Sequence, residues 1–197
     1  MTGNSARAVF LDRDGTIIED VGYLERVGRI AMYPWSIDAI RVLNRAGLRV
    51  VVTTNQSGVA RGYFTEALVD EVHRHIDSLV VQGGARIDAY YYCPHHPDAA
   101  VETYRQRCEC RKPGRGLVDR AVREFGVDPA QSFVVGDRRL DIQLARAVGA
   151  RAVLVRTGYG VTEEAQGLVA DAVTDNLMDA AGWILRNLTT ANPQSAI

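Results

Sequence analysis

The sequence predicts an α/β protein in which a doubly wound, mostly parallel sheet carries helices on both faces. Short apolar segments alternate along the chain with longer segments whose apolar residues recur at helical spacing. The short segments are continuously apolar, which is typical of strands buried on both faces of a parallel sheet. With 197 residues, 47% of them hydrophobic and 24% charged, the chain has the balance of one globular domain.

The first predicted elements are a strand, a helix and a strand. The apolar run Ala8–Leu11 is bounded by charge and predicts a buried strand that leads directly into Asp12. Apolar residues at helical spacing predict a helix over 37–46, and Gly47 is a natural stop for it. The apolar run that follows predicts a second strand over 49–53.

The next predicted helix has its own start and stop signals. Thr65 can cap its first turn, and Gly83 ends it before a strand over 89–92. Its apolar stripe consists of Leu68, Val72, Ile76 and Leu79.

The second half of the chain continues the alternation. The same signals predict, in order, a helix over Gly116–Phe125, a strand over 133–135, a helix over 140–148, a strand over 152–155 and a helix over 177–188. We assign residues 1–190 to a single domain with a metal-binding loop at about 93–110, and we expect 191–197 to be a disordered tail.

Charge and hydropathy limit the class of partner. The formal net charge is −1, so no broad electrostatic field favours a nucleic acid or an anionic membrane. No apolar run approaches the roughly 20 residues that a membrane span needs, and the first apolar stretch is too short for a signal peptide. We therefore expect a cytoplasmic monomer whose partner is a small molecule, with no nucleic acid and no membrane.

Residues whose side chains could take part in catalysis or bind a ligand follow four of the predicted strands: Asp12, Thr54, Cys93 and Asp137. In open parallel sheets, ligands bind beyond the carboxyl ends of the strands. We therefore expect these residues to gather at one edge of the sheet.

Two carboxylates, Asp12 and Asp14, directly follow the first strand, ahead of a glycine that permits a tight turn. The pair is either a polar loop or a nucleophile with an acid/base partner, in which one carboxylate attacks phosphorus and the other moves the proton. Two anions so close to each other and to a phosphate require a cation.

Two further acids, Asp137 and Asp141, lie one helical turn apart after a later strand. Hard carboxylate ligands suit Mg²⁺, and Asp137 is the stronger candidate. The alternative is that Asp137 caps the helix and Asp141 lies on a solvated face.

Groups that could bind phosphate occur in two segments. Residues 53–58 end the second strand with hydroxyls, amides and a glycine, which together are either phosphate donors or a polar turn. Arg111 and Lys112 offer a guanidinium fork and a point charge for a phosphoryl group, or are two surface cations.

In this order and across roughly residues 8–141, these motifs resemble those of the haloacid dehalogenase-like (HAD) phosphatase superfamily. The resemblance implies that Asp12 is the nucleophile, Asp14 the general acid/base, Thr54 a phosphoryl ligand and Lys112 the charge-neutralising amine. It also implies that Mg²⁺ binds Asp12, Asp137 and the main-chain carbonyl of Asp14.

A second signal is a cluster of soft ligands, Cys93, His95, Cys108 and Cys110, in a loop with little apolar content. Three sulfurs and an imidazole suit tetrahedral Zn²⁺ and leave no open position, so we interpret the site as structural. His95 is favoured over His96 because a Cys-x-His spacing in an extended segment points both side chains the same way. The alternative is buried cysteines beside hydrogen-bonded histidines.

This loop would hold Arg111 and Lys112 rigidly over the phosphate site, in place of a large cap domain.

Within the superfamily, the chain is similar over nearly its whole length to the heptose bisphosphate phosphatase family. The similarity rests on the segments FLDRDGTI, GY, TNQSGVARG, YYCPHHP, CECRKP, VGD and LVRTGYG. It implies removal of the C7 phosphate of a heptose bisphosphate through an aspartyl-phosphate, on the route to activated heptose for bacterial surface polysaccharide. The implied substrate-binding residues are Asp20, Gly22, Tyr23, Thr54, Asn55, Gln56, Ser57, Arg111, Lys112 and Arg138.

Two other functions are compatible with parts of the pattern. The histidinol-phosphate phosphatases look like a sister family, but a bisphosphate explains the additional cations Arg111 and Arg138 better than a cationic amine does. A zinc-binding interaction module on an inactive scaffold would lack a catalytic carboxylate or carry a basic stripe, and neither feature is evident.

Overall fold

A computed structural model describes residues 6–188 of the chain, so the predicted tail over 191–197 lies outside the described residues. The strands are β1 Ala8–Leu11, β2 Arg49–Asn55, β3 Ala89–Cys93, β4 Phe133–Gly136, β5 Arg151–Val155 and β6 Ala172–Thr174. The helices are α1 Ser36–Arg45, α2 Ser57–Ala60, α3 Glu66–Gln82, α4 Gly116–Phe125, α5 Arg139–Val148, α6 Gly160–Ala165 and α7 Leu177–Arg186.

The strands form one sheet in the order β3-β2-β1-β4-β5-β6, and every neighbouring pair is parallel. The predicted parallel, doubly wound architecture is confirmed. The chain progresses outward in one direction from β1 to β3 and in the other direction from β4 to β6. A crevice therefore opens beyond the carboxyl ends of β1 and β4, which is where such sheets bind ligands.

Successive strand residues alternate between the two faces of the sheet, and each face has its own apolar core. Val9 and Leu11 of β1 face the core that α1, α3 and α7 cover. Ala8 and Phe10 face the core that α4 and α5 cover. All four residues are fully buried, which explains the continuous apolar runs in the sequence.

The predicted element boundaries agree to within one or two residues, and α4 agrees at both ends. Thr65 caps α3 as predicted, because its Oγ1 accepts from the backbone N–H of Leu68 at 3.4 Å. Three short elements were missed: α2, α6 and β6. They have 4, 6 and 3 residues, which is too few for a hydrophobic period to show.

The connection between β3 and α4, residues 94–115, holds the cysteine-rich loop and one short 3-10 turn, Glu102–Tyr104. Of the helices that the structure describes, none is both long and apolar enough to cross a membrane.

Candidate active site

A cavity of about 330 Å³ lies beyond the carboxyl ends of the central strands. Its lining includes every residue predicted as catalytic or substrate-binding: Asp12, Asp14, Asp20, Gly22, Tyr23, Thr54, Asn55, Gln56, Ser57, Arg111, Lys112 and Arg138. Five further residues line the cavity: Gly58, Phe64, Leu140, Asp141 and Tyr159. Asp141 was an open candidate and Gly58 ends the segment 53–58, whereas sequence reasoning missed Phe64, Leu140 and Tyr159. The cavity thus lies where the carboxyl ends of β1 and β2, the start of α5 and the loops at 20–23 and 111–112 meet.

The Asp12 carboxylate sits at the end of β1 with only 7% of the residue exposed. Its backbone N–H donates to the carbonyl of Val135 at 2.9 Å, which continues the ladder between β1 and β4. Its Oδ1 accepts from the backbone N–H of Arg13 at 2.7 Å and contacts Lys112 Nζ at 2.9 Å. The carboxylate is thus held in one orientation at the floor of the cavity.

Lys112 is buried, not a surface cation, with 3% of the residue exposed. Its Nζ donates to Asp141 Oδ1 at 2.6 Å and to the carbonyl of Thr53 at 2.9 Å, besides its contact with Asp12. Burial opposes its charge, but Asp12 and Asp141 outweigh burial and raise the pKa of Lys112 above its usual value. Lys112 is therefore a fixed positive charge beside the candidate nucleophile.

Three carboxylates, those of Asp12, Asp137 and Asp141, each place an oxygen within 4.8 Å of the others, and all three residues are buried. Burial, followed by the charges of Asp12 and Asp141, raises the pKa of Asp137 to about 8. Among residues 6–188, Asp137 Oδ1 has no hydrogen-bond partner. With all three carboxylates ionised, Lys112 would balance only one of the charges, so the site has the charge, the geometry and the unpaired oxygen that suit a divalent cation such as Mg²⁺.

Two glycines make room for Asp137. A Cβ on Gly15 would lie 2.3 Å from Asp137 Oδ2, and a Cβ on Gly158 would lie 2.2 Å from the same atom. Both glycines have positive φ, +79° and +55°. The carboxylate is therefore enclosed by main chain, with Oδ2 accepting from the N–H of Tyr159 at 2.8 Å.

Asp141 does not lie on a solvated face, because it is 1% exposed. Its Oδ2 accepts from the N–H of Arg138 at 3.2 Å, so Asp141 caps the start of α5 while Oδ1 binds Lys112. The N-cap residue of α5 is Arg138, and Asp141 in the first turn accepts from its backbone N–H, so the alternative in which Asp137 caps the helix is wrong.

The Asp14 carboxylate lies apart from this group and is held by different partners. Arg13 donates to it from Nε and from a terminal nitrogen at 2.9 to 3.2 Å. Gln56 Nε2 donates at 2.9 Å both to Asp14 Oδ2 and to Thr54 Oγ1. Gln56 lines the cavity and also links the candidate acid/base to the candidate phosphoryl ligand.

Asn55, which was predicted to contact substrate, lines the cavity, and its side chain pairs with the main chain of Lys112. Asn55 Oδ1 accepts from the Lys112 N–H at 3.0 Å, and Nδ2 donates to the Lys112 carbonyl at 3.2 Å. Arg111 is tied to the same region because it donates to the carbonyl of His95 at 3.2 Å. Asn55 thus anchors the end of the cysteine-rich loop to β2.

Arg138 is a further cation in the lining of the cavity. It donates to Asp20 Oδ2 at 2.8 Å, and its guanidinium carbon lies 3.7 Å from the centre of the Tyr159 ring. Asp20 also accepts from the N–H of Gly22 at 2.8 Å. Tyr159 was missed because a tyrosine in a loop gives no sequence signal of the cation it will meet.

The four predicted zinc ligands form a compact cluster. Sulfur–sulfur distances among Cys93, Cys108 and Cys110 are 3.2 to 3.5 Å, and His95 Nδ1 lies 3.3 Å from Cys110 Sγ and 3.8 Å from Cys93 Sγ. Tetrahedral Zn²⁺ with ordinary Zn–S bonds would place its sulfurs about 3.8 Å apart. The cysteines are free, and the distances exceed that of a disulfide bond.

His96 lies outside this cluster, and its Nδ1 accepts from the N–H of Asp98 at 3.1 Å. Burial raises the pKa of Cys93 and of Cys110. Metal binding would have to displace those protons.

The chain resembles characterised families in sequence. The HAD-hydrolase-like family model matches residues 109–180. A D-glycero-beta-D-manno-heptose-1,7-bisphosphate 7-phosphatase of Salmonella typhi is 45% identical over 186 residues, which cover 93% of this chain and 92% of that protein. A relative of the same name from Haemophilus influenzae is 41% identical, covering 88% of this chain and 94% of that protein.

Solved structures agree with the sequence comparison. A D,D-heptose 1,7-bisphosphate phosphatase of B. bronchiseptica, complexed with magnesium and phosphate, is 34% identical with a TM-score of 0.82. The match covers 92% of this chain and 99% of that one. These likenesses extend over the whole site described above, and the chain is a phosphoric monoester hydrolase that belongs to the heptose bisphosphate phosphatase family of HAD-like hydrolases.

Proposed function

We propose that the chain removes the C7 phosphate of D-glycero-β-D-manno-heptose 1,7-bisphosphate by a magnesium-dependent reaction through an aspartyl-phosphate. The observation that carries this proposal is the buried Asp12 held by Lys112 in a cavity that also contains Asp14. The names of relatives at 41 and 45% identity supply the sugar and its anomer. This activity belongs to the synthesis of activated heptose for bacterial surface polysaccharide.

In the first step, a carboxylate oxygen of Asp12 attacks the phosphorus of the C7 phosphate. An Asp12–phosphorus bond forms, the bond from phosphorus to the sugar oxygen breaks, and the proton of Asp14 goes to that oxygen. Lys112 stands 2.9 Å from Asp12 Oδ1 and offsets charge on the transferring group. Thr54, 1% exposed at the end of β2, supplies a hydroxyl for a phosphoryl oxygen.

In the second step, the ionised Asp14 takes a proton from a water molecule as that water attacks the same phosphorus atom. The bond between phosphorus and Asp12 breaks, inorganic phosphate leaves, and Asp12 returns as a carboxylate. Asp14 lines the cavity and its side chain is 21% exposed, so it can reach both the sugar oxygen and a water molecule.

Magnesium, when bound, would neutralise charge on the phosphoryl oxygens. The residues that would hold it are Asp12, Asp137 and the main-chain carbonyl of Asp14. Asp141 belongs to the same cluster of carboxylates and was an open alternative. Its two oxygens bind Lys112 and the Arg138 N–H, so we assign it to holding Lys112.

We assign Arg111 and Arg138 to binding the phosphate that is not transferred. Both line the cavity, and a guanidinium binds a phosphate with two parallel hydrogen bonds. Asp20 and Tyr159 fix Arg138 before substrate arrives, so little side-chain entropy would be lost on binding. A monophosphate with a cationic amine would offer these two guanidinium groups no second phosphate to bind.

Zn²⁺ held by Cys93, His95, Cys108 and Cys110 would have a structural role. The cluster ends one residue before Arg111, and Arg111 itself donates to the His95 carbonyl. A fixed loop would therefore fix the direction of both Arg111 and Lys112. We further propose that the enzyme is a monomer of the cytoplasm that needs no other macromolecule.

The proposal is tested by phosphate release with Mg²⁺ from the α and β anomers of heptose 1,7-bisphosphate and from histidinol phosphate, compared at equal concentration. We expect the β anomer to have the highest kcat/KM. Preference for histidinol phosphate would overturn the substrate assignment, and turnover that is unaffected by chelation of Mg²⁺ would overturn the metal requirement.

A further inference from the structure

His73 is a buried histidine on α3 that contacts none of the reacting groups directly. It is 6% exposed, and its Nε2 lies 3.3 Å from a terminal nitrogen of Arg13. Its ring stacks on Tyr90 with centroids 4.9 Å apart and meets Tyr92 edge-on at 5.7 Å. The ring is thus fixed from one side by β3 and aimed at a single cation.

Arg13 connects His73 to Asp14. It is 2% exposed, and its guanidinium binds both oxygens of Asp14 on one edge and His73 on another. A guanidinium is planar and rigid, so a contact at one edge determines the direction of the opposite edge. Moving the guanidinium would therefore move the Asp14 carboxylate.

The contact between His73 and Arg13 requires a neutral imidazole. An arginine nitrogen can only donate, so Nε2 accepts and the ring proton must lie on Nδ1. Burial, followed by the charge of Arg13, lowers the pKa of His73 to about 3, so the ring is neutral at ordinary pH. The histidine can therefore act as a permanent acceptor.

We propose that His73 is a positioning residue for the proton transfers of Asp14, acting through Arg13. This inference rests on the role of Asp14 in the proposed function. The acceptor at Nε2 holds the Arg13 fork, and the fork holds Asp14 toward the sugar oxygen that receives its proton. Without that acceptor, Arg13 has a buried donor with no partner and turns to find another one.

Alkyl and aryl phosphates should differ in how strongly their cleavage depends on the proton of Asp14. The leaving group of an alkyl phosphate, such as glycerol phosphate or the heptose bisphosphate, is a strongly basic alkoxide, so its departure needs the proton of Asp14. The leaving group of an aryl phosphate, such as p-nitrophenyl phosphate, is a stable anion, so its departure needs that proton much less. Because kcat/KM reports the steps up to the formation of the aspartyl-phosphate, loss of positioning should lower kcat/KM for the alkyl phosphate selectively.

Three variants separate the hydrogen bond from the shape of the side chain. His73→Gln places an amide oxygen near the position of Nε2, whereas His73→Asn places its polar atoms near Nδ1, and His73→Leu has no acceptor. We expect His73→Leu and His73→Asn to lower kcat/KM for glycerol phosphate by about 10-fold or more, and for p-nitrophenyl phosphate by less than about 3-fold. His73→Gln should stay within about 3-fold of the unmodified enzyme on both substrates.

Asp14→Asn is the reference variant and should show the same selectivity to a greater degree. If Asp14→Asn is selective but the His73 variants are unchanged, or lose both substrates equally, the positioning role is wrong and the proposed function stands. If Asp14→Asn itself shows no selectivity, the acid/base role of Asp14 and the positioning role are both wrong. Because p-nitrophenyl phosphate carries no sugar, these outcomes are independent of which sugar phosphate the enzyme prefers.

Discussion

Asp12 and Asp14 are separated by one residue, yet their carboxylates meet different partners. Lys112 and the Arg13 N–H hold Asp12, whereas the Arg13 guanidinium and Gln56 hold Asp14. The difference follows from the turn after β1, which gives the two side chains different surroundings. One carboxylate is thus fixed beside a cation, as the proposed attack on phosphorus needs, and the other is partly exposed in the cavity, as the proposed proton transfers need.

Asp12→Asn tests the nucleophile. The amide is isosteric but cannot attack phosphorus, so kcat should fall by at least about 10³-fold while the far-ultraviolet circular dichroism is unchanged. Asp38→Asn on the exposed face of α1 is the matched control and should retain full activity. Residual turnover near that of the control would contradict the covalent mechanism.

Gly158→Ala tests the enclosure of Asp137. The new Cβ would lie 2.2 Å from Asp137 Oδ2, so the carboxylate must move, and the affinity for Mg²⁺ should fall about 10-fold or more. Gly167→Ala is the matched control, because Gly167 also has positive φ, +77°, but no atom within 4 Å of the new Cβ. Mg²⁺ titration of both variants by calorimetry measures the difference, and equal affinities would show that the enclosure does not matter.

At the scale of elements, the cysteine-rich loop is joined to the rest of the fold at three points, two on the sheet and one on α3. Cys93 ends β3, Asn55 at the end of β2 pairs with the main chain of Lys112, and Glu66 at the start of α3 accepts from Tyr104 of the loop at 2.7 Å. The loop is therefore attached to the strands that end at the active site. Loss of the cluster should disturb the two cations that follow it more than the rest of the fold.

His95→Ala and His96→Ala test which histidine binds zinc. His95 Nδ1 lies within the sulfur cluster, whereas His96 Nδ1 accepts a hydrogen bond from the backbone N–H of Asp98. We expect His95→Ala to lose most of its zinc and His96→Ala to retain about one zinc per chain, as measured by elemental analysis of the purified proteins. Equal zinc contents in the two variants would contradict the assignment.

At the scale of the whole molecule, a buried neutral histidine makes stability depend on pH. The pKa of His73 is lowered from 6.5 to about 3, so the unfolded chain takes up a proton first as the pH falls. Stability due to His73 is therefore complete above pH 6.5 and is lost progressively between pH 6.5 and about 3. Because the pKa of His73 is lower in the folded protein than in the unfolded chain, lowering the pH destabilises the folded protein.

Comparison with His73→Gln isolates this effect, because glutamine does not titrate. The difference in unfolding free energy between the unmodified protein and the variant should change by up to about 1.4 kcal/mol per pH unit within that window. Urea denaturation at several pH values, monitored by circular dichroism, measures it. A difference that is constant across the window would show that the histidine is protonated in the folded state.

Much of the architecture could be predicted because it depends on local patterns. Five of six strands and the five longer helices were recognised from apolar runs, helical spacing and stop signals, and parallel strands bring their polar ends to one edge. β6 was missed because it has three residues, all only partly buried, so no apolar run marks it. The candidate ligands could be named because each directly follows a strand or lies in a short motif.

The sequence by itself determined the doubly wound fold, the two groups of candidate ligands and the family, because these depend on residue types at short spacing. Only the tertiary structure decided that Asp141 pairs with Lys112, that Asn55 and Gln56 hold other residues, and that His73 meets Arg13. His73 is 60 positions from Arg13, and Asp141 is 29 positions from Lys112. No local sequence pattern predicts such contacts, because they form only when separate helices and strands pack against each other.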